Sequence, residues 1–235
     1  IVLRHRADVL KASDEALMLQ RLIKACAEKH GLAATFMAKP YAEWTGSGMH
    51  VHVSLGDDQG HNLFAAEDPQ KNALLMQAIG GLKAAMAESM LIFAPNANSY
   101  RRFRRNSYAP VSASWGINNR TVSLRIPAGA ANACHIEHRP SGADANPYLV
   151  MAAILAGMHH GITEKADPGN PVTGDSPFTE TPVARAFLPG EDIHDALRQV
   201  RLQVQAFQRP PRRSRRDAGG NLDHFPRSDV GAQAR

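Results

Sequence analysis

Residues 134–149 read Cys-His-Ile-Glu-His-Arg-Pro-Ser-Gly-Ala-Asp-Ala-Asn-Pro-Tyr-Leu. In the first part, Cys134, Ile136 and His138 alternate with His135, Glu137 and Arg139, the two-residue period of a strand with one apolar and one charged face. In the second, Asn146 and Pro147 open a helix predicted over 146–161, since proline in the first turn gives up only an N–H that the helix leaves unused. Glu137 and Arg139 point the same way, so a metal-binding carboxylate and an anion-binding cation can share one site. A cross-strand ion pair accounts for the same two residues equally well.

Two other segments carry polar groups that a core would reject. Residues 49–55 alternate, with Met49, Val51, Val53 and Leu55 on one face and His50, His52 and Ser54 on the other. This is a half-buried strand with a polar working face, preceded by the turn Gly46-Ser47-Gly48, where glycine permits a ligand to approach the backbone. His-x-His is compatible with metal binding and also occurs by chance. Residues 96–110 form a polar loop containing Arg101, Arg102, Arg104 and Arg105, and Arg120 and Arg125 follow. Arg125 lies between Leu124 and Ile126 in a predicted strand over 121–127, where a solvated role is hard to arrange. Guanidinium groups that converge on a pocket grip carboxylate and phosphate oxygens in pairs.

The remaining pattern is helical or irregular. A core-facing amphipathic helix is predicted over 13–30, capped by Ser13, with Asp14 and Glu15 at the positive end of its dipole and Gly31 at its end. A short strand is predicted over 33–40, a second long helix over 72–94, a Pro/Gly-rich loop over 167–182 and a last helix over 192–207. No internal repeat is evident.

The chain has 235 residues, 43% hydrophobic and 21% charged, which suits one soluble domain with a sizeable core and an appendage. No run approaches the roughly 18 apolar residues of a membrane span, and residues 1–6 have neither signal nor transit character. Cys26 and Cys134 have no metal or redox spacing and are expected to be reduced thiols of a cytoplasmic protein. The net charge of +5 is misleading as a sign of nucleic-acid binding. Nine arginines against three aspartates give the last 38 residues +6 and leave −1 for the 197 before them. Without aromatic residues interleaved for base stacking, the tail is not expected to bind nucleic acid, nor the chain a membrane.

Taken together, Gly46-Ser47-Gly48-Met49-His50-x-His52, Asn98-Ser99-Tyr100-Arg101-Arg102, Asn119-Arg120, Arg125-Ile126-Pro127 and Ile136-Glu137-x-Arg139 resemble successive signatures of the glutamine synthetase family, in the family's order. Residues 143–149 are similar to the stretch that follows its last active-site strand. The resemblance covers about residues 1–190. It implies an α+β fold: a curved antiparallel sheet, part of an open barrel, with helices packed outside. It also implies a ligase that phosphorylates the glutamate side chain with ATP and lets an amine displace the phosphate, a reaction that rests on positioning and charge neutralisation. By the same resemblance His50 and Glu137 ligate Mg²⁺ or Mn²⁺. Gly46 and Arg102 hold glutamate, Arg139 sits at the carboxylate being phosphorylated, Arg120 and Arg125 bind ATP phosphates (Arg120 with Arg139 in catalysis), and His52 and Ser54 line the nucleotide pocket. Family members form homo-oligomeric rings with active sites between subunits.

Three departures bear on activity. Glutamine synthetases that use ammonium carry Glu before the Ala-Pro at 109–110, where this chain has Tyr108. With Ser114-Trp115-Gly116 nearby, this resembles the γ-glutamyl-polyamine synthetase branch, whose nucleophile is an organic amine such as putrescine. His135 stands where an ATP-holding Arg is usual, with Asn132 in place of an upstream Lys. The family's N-terminal β-grasp domain and first catalytic strands, which carry most of the metal-binding glutamates, are absent from residues 1–207. The chain alone is therefore expected to be inactive, or to be a pseudoenzyme that assembles with or regulates a full-length paralogue.

Residues 208–235 have no apolar period and are expected to be a disordered appendage or the product of a shifted reading frame. Trypsin under native conditions should remove the chain beyond residue 210 and leave the domain intact. A tail that survives the digestion is packed, contrary to this reading.

Overall fold

The computed structural model of the protein describes residues 1–104 and 107–174. The helix predicted over 192–207, the later part of the 167–182 loop and the tail over 208–235 lie outside them.

The first helix, α1, spans Val9–Lys29. Its cap is Asp8, whose carboxylate accepts from the Lys11 N–H at 3.0 Å. Ser13, predicted as the cap, instead lies in the second turn, buried, with its hydroxyl donating to the Val9 carbonyl at 2.9 Å. Gly31, at φ +69°, ends the helix in the left-handed region that glycine enters freely. The expectation that α1 faces the core is overturned. Ser13 is its one buried residue, and Leu10 and Leu22 are 70% and 56% exposed. The helix is held by polar contacts at its edge: Gln20 Nε2 donates to the Ala143 carbonyl at 3.1 Å, and Tyr148 donates to Asp14.

No strand forms over 33–40. The Asn98 side chain replaces a strand neighbour, accepting from the Lys39 N–H at 2.9 Å and donating to the Lys39 carbonyl at 2.7 Å. The helix predicted over 72–94 is two. The first, α2, spans Ala73–Ala84, capped by Asn72; the second, α3, spans Met90–Phe93. Between them the backbone tightens, with Met86 N–H on the Lys83 carbonyl and Met90 N–H on that of Ala87, which carries the chain off the α2 axis. The arginine-rich loop opens with a short helix, α4, over Ala97–Tyr100, closed by reciprocal Asn96 and Ser99 caps.

Four short strands make one open sheet: β1 (Val51–Val53), β2 (Trp115–Ile117), β3 (Leu124–Ile126) and β4 (Ile136–His138), in the order β1-β4-β3-β2. β1 and β3 both run antiparallel to β4, but β2 and β3 are parallel, so the sheet is mixed and not wholly antiparallel as expected. Strands of three residues are only about 10 Å long, and the short loop over 118–123 is long enough to return the chain to the same end. β2 was not evident from the sequence. Its free edge is partly covered by the segment after the last described helix, where Val172 N–H donates to the Trp115 carbonyl at 2.8 Å and Trp115 Nε1 to that of Gly169 at 2.9 Å.

The last described helix, α5, spans Pro147–Thr163, opens at Pro147 as predicted and is capped by Asn146. It packs on α2 at a glycine contact. A Cβ at Gly81 would lie 2.2 Å from the Gly157 carbonyl oxygen, so the two backbones touch. The core between these helices and the sheet holds Phe64, Leu75, Ile79, Trp115, Leu124, Ile136 and Ile154. Cys26 and Cys134 are unpaired, and no described helix is long and apolar enough to cross a membrane.

His138 follows the alternation of β4 into this core. It is buried against the Phe93 ring, with centroids 4.5 Å apart, and neither ring nitrogen has a protein partner. Burial, with the nearby charge of His50, pushes its pKa down to about 3. Its contribution to stability is complete above the unfolded value near 6.5 and is lost as pH falls from there toward about 3. Replacing His138 with Leu should remove that slope. Between pH 7.5 and about 5 the native chain should lose roughly 2 kcal/mol more than the variant in urea unfolding. Equal losses would mean that His138 is not buried neutral.

Candidate active site

The charged faces of β3 and β4 meet at Arg125 and Glu137, which are paired in register. The Glu137 carboxylate, 5% exposed, accepts from three side chains, two guanidinium groups and an imidazole. His50 Nδ1 lies 3.0 Å and Arg139 Nη1 2.9 Å from Oε1, and Arg125 Nη1 is 2.8 Å from Oε2. Burial pushes the Glu137 carboxyl up, but hydrogen bonds from His50 and Arg125 and the charge of Arg139 outweigh it. They hold the group well below the usual carboxylate range.

From this centre the network reaches two loops. Arg139 Nη2 donates to the Tyr108 carbonyl at 3.0 Å and to the Arg120 carbonyl at 2.9 Å. Tyr108 sits at φ +55°, in the left-handed region, with its side chain at the surface. Arg125 Nη2 donates to Asn118 Oδ1 at 2.8 Å. Between the loops and the sheet is an open cavity of about 360 Å³, lined by His50, Tyr108, Arg120, Arg125, Glu137 and Arg139. Three arginines and a single carboxylate line it, so the cavity suits an anionic ligand with paired oxygens.

These six predicted residues converge; four others lie elsewhere. Arg102 is buried behind the cavity, where Nη1 donates to the Pro140 carbonyl at 2.7 Å and Nη2 to that of Arg139 at 2.9 Å. Burial, reinforced by the charge of Arg139 and opposed by Asp144, brings its pKa down to about 10. In this geometry Arg102 braces the exit of β4. The two glycines before β1 make room for it: a Cβ at Gly46 would lie 2.8 Å from Arg102 Cγ, and one at Gly48 2.8 Å from Nη2. The close approach they permit is thus that of a protein side chain. His52 lies outside the cavity lining, its Nδ1 2.8 Å from His135 Nε2, while His135 Nδ1 is 2.7 Å from the Ala133 carbonyl. Ser54 is half-buried and does not line the cavity. Asn118, which was not singled out from the sequence, and the Tyr108 and Arg120 carbonyls complete the site. An Asn-Asn pair in a loop is the one signal that could have found Asn118, because Asn enters the left-handed region more readily than other side chains.

For a divalent metal the fit is partial. His50 and Glu137 offer one imidazole and one carboxylate side by side, and no group of three His, Cys, Asp or Glu side chains among the described residues could hold a metal ion. Two ligands do not complete a Mg²⁺ or Mn²⁺ shell.

A family model described as the catalytic domain of glutamine synthetase matches residues 1–208. The chain belongs to the glutamine synthetase family. Its relatives include the γ-glutamylputrescine synthetase PuuA of Escherichia coli, 46% identical over 84% of this chain and 43% of the relative. A glutamate–isopropylamine ligase of a Pseudomonas species is 43% identical over 79% of this chain and 45% of the relative. The chain thus spans about half the length of the curated relatives it matches. A solved GmaS/ADP complex aligns over 83% of this chain and 46% of that one, with 33% identity and a TM-score of 0.68. The fold is that of the glutamine synthetase catalytic domain, with its small sheet left open.

Replacing Glu137 with Gln keeps the volume and leaves the Arg125 and Arg139 guanidinium groups without their shared anion. Urea unfolding at neutral pH should show a loss of roughly 3 kcal/mol, since one partner of a buried ion pair is removed. The depressed carboxyl adds stability above its unfolded value near 4.3, and that contribution fades as pH falls below it, so the variant should also lose this acid slope. A loss below about 1 kcal/mol would show that the two guanidinium groups do not depend on Glu137.

Proposed function

We propose that this chain supplies part of the active site of an ATP-dependent ligase that joins the side-chain carboxylate of glutamate to an organic amine. The observation that carries this reading is the arginine-lined cavity centred on Glu137. Its surplus of guanidinium groups matches two anionic reactants, a carboxylate and a polyphosphate, whose mutual repulsion must be offset before one can phosphorylate the other.

In this reading Arg120 and Arg125 take the ATP phosphates, and Arg139 stands at the glutamate side chain. Arg139 then has two tasks, because its Nη2 already fixes the Tyr108 and Arg120 carbonyls. Phosphorylation turns a poor electrophile into an acyl phosphate, and the attacking amine releases phosphate to give the amide. His50 and Glu137 contribute two ligands to a divalent cation. The described residues do not complete its shell, so its remaining ligands come from outside them. Arg102 and Gly46 support the glutamate pocket from behind, and His52 and Ser54 belong to the nucleotide side. The reaction is one of cytoplasmic nitrogen metabolism.

Tyr108 selects the amine. A phenol carries no negative charge at neutral pH to attract ammonium, and its exposed ring offers an apolar wall to an alkyl chain. The relatives that act on putrescine and isopropylamine support an organic amine over ammonium. To test this, the chain is joined to the N-terminal part of the E. coli relative and glutamate-dependent phosphate release is measured. Putrescine should be preferred to ammonium at equal concentration, and Tyr108→Glu should shift the preference toward ammonium. Equal use of both amines by the unmutated enzyme would remove Tyr108 as the selector.

A further inference from the structure

We infer that Asn118 is a positioning residue for Arg125, holding its guanidinium in the orientation in which it can grip a phosphate. This rests on the reading of Arg125 as a phosphate ligand given above, and extends it to a residue that lies outside the cavity lining.

Asn118 is the first residue after β2 and adopts φ +49°. Its N–H donates to the Ile126 carbonyl at 2.8 Å, which ties the turn to the end of β3. Its side-chain Oδ1 accepts from Arg125 Nη2 at 2.8 Å, one residue back along that same strand. Asn118 therefore brackets β3 with its backbone and its side chain together. The other end of the guanidinium donates through Nη1 to Glu137 Oε2 at 2.8 Å.

A planar guanidinium fixed at both terminal nitrogens cannot turn about its Nε–Cζ bond without breaking one of these contacts. One N–H on each terminal nitrogen remains unused by Asn118 and Glu137 and is free to donate to a phosphate oxygen. The neighbouring Asn119 holds the turn from the other side. Its Oδ1 accepts from the Thr121 N–H at 2.9 Å, and its Nδ2 donates to the Val172 carbonyl at 3.1 Å and the Gly174 carbonyl at 2.7 Å. Asn119 fixes the loop, and Asn118 uses that fixed loop to aim Arg125.

Two substitutions separate the side chain from the backbone. Asn118→Gly keeps the left-handed conformation at no steric cost and removes the acceptor. Asn118→Asp keeps an acceptor and tolerates the same conformation. Guanidinium NMR signals of Arg125, assigned by their loss in Arg125→Lys, report rotation of the group directly. They should show slow rotation in the native chain and in Asn118→Asp, and fast rotation in Asn118→Gly. ADP titration with magnesium should give binding about fivefold weaker for Asn118→Gly, the scale of one hydrogen bond, with a melting temperature within about 2 °C of native. Unchanged rotation and unchanged ADP affinity in Asn118→Gly would overturn the proposal, as would a matching collapse of its melting temperature, which would mark a purely structural role. If the native chain takes up no ADP, the phosphate reading of Arg125 fails, and the NMR signals still decide whether Asn118 holds it.

Discussion

A single buried carboxylate organises this site. Glu137 accepts from His50 on the approach to β1, Arg125 on β3 and Arg139 just beyond β4. Charges buried together are costly unless each has a partner, and here one anion serves two guanidinium groups and an imidazole at hydrogen-bond distance. The arrangement leaves the cavity short of negative charge. That deficit is what an anionic substrate can fill, and it arises from the same contacts that hold the strands' polar face together.

Around this centre, cationic side chains hold backbone carbonyls. Arg139 binds those of Tyr108 and Arg120, and Arg102 binds those of Arg139 and Pro140. The loop bearing Tyr108, the turn bearing Arg120 and the exit of β4 are therefore linked through two guanidinium groups. Such links fix loop positions without regular secondary structure, which suits a sheet whose strands are three residues long. A change at either arginine would move several site elements together, so its kinetic effect would not report one contact alone.

Much of the site was legible in the sequence because strand alternation is a local property. The period of two in residues 134–139 and 49–55 placed Glu137, Arg139 and His50 on polar faces, and the structure brings His50 and Arg139 each within about 3 Å of Glu137. The glycines at 46 and 48 were legible as points of close approach, but not the identity of what approaches. Arg102 comes from a segment more than fifty residues away, and only packing shows that its side chain occupies that space. The same limit explains α1. Its apolar spacing is visible in the chain, but whether another layer covers that face is not a local matter, and among the described residues none does.

The sequence by itself determined the helix starts at Asn72 and Asn146, the two-faced strands and the order of the charged residues. These follow from capping chemistry and side-chain period, which act over a few neighbouring residues. Tertiary structure alone decided the parallel pairing of β2 with β3, the breaking of the 72–94 helix, and the replacement of a strand at 33–40 by bonds to Asn98. It also decided which arginines face the cavity and which serve the backbone. Each of these depends on where a distant carbonyl or carboxylate lies, and a guanidinium goes to whichever acceptor the fold leaves nearest.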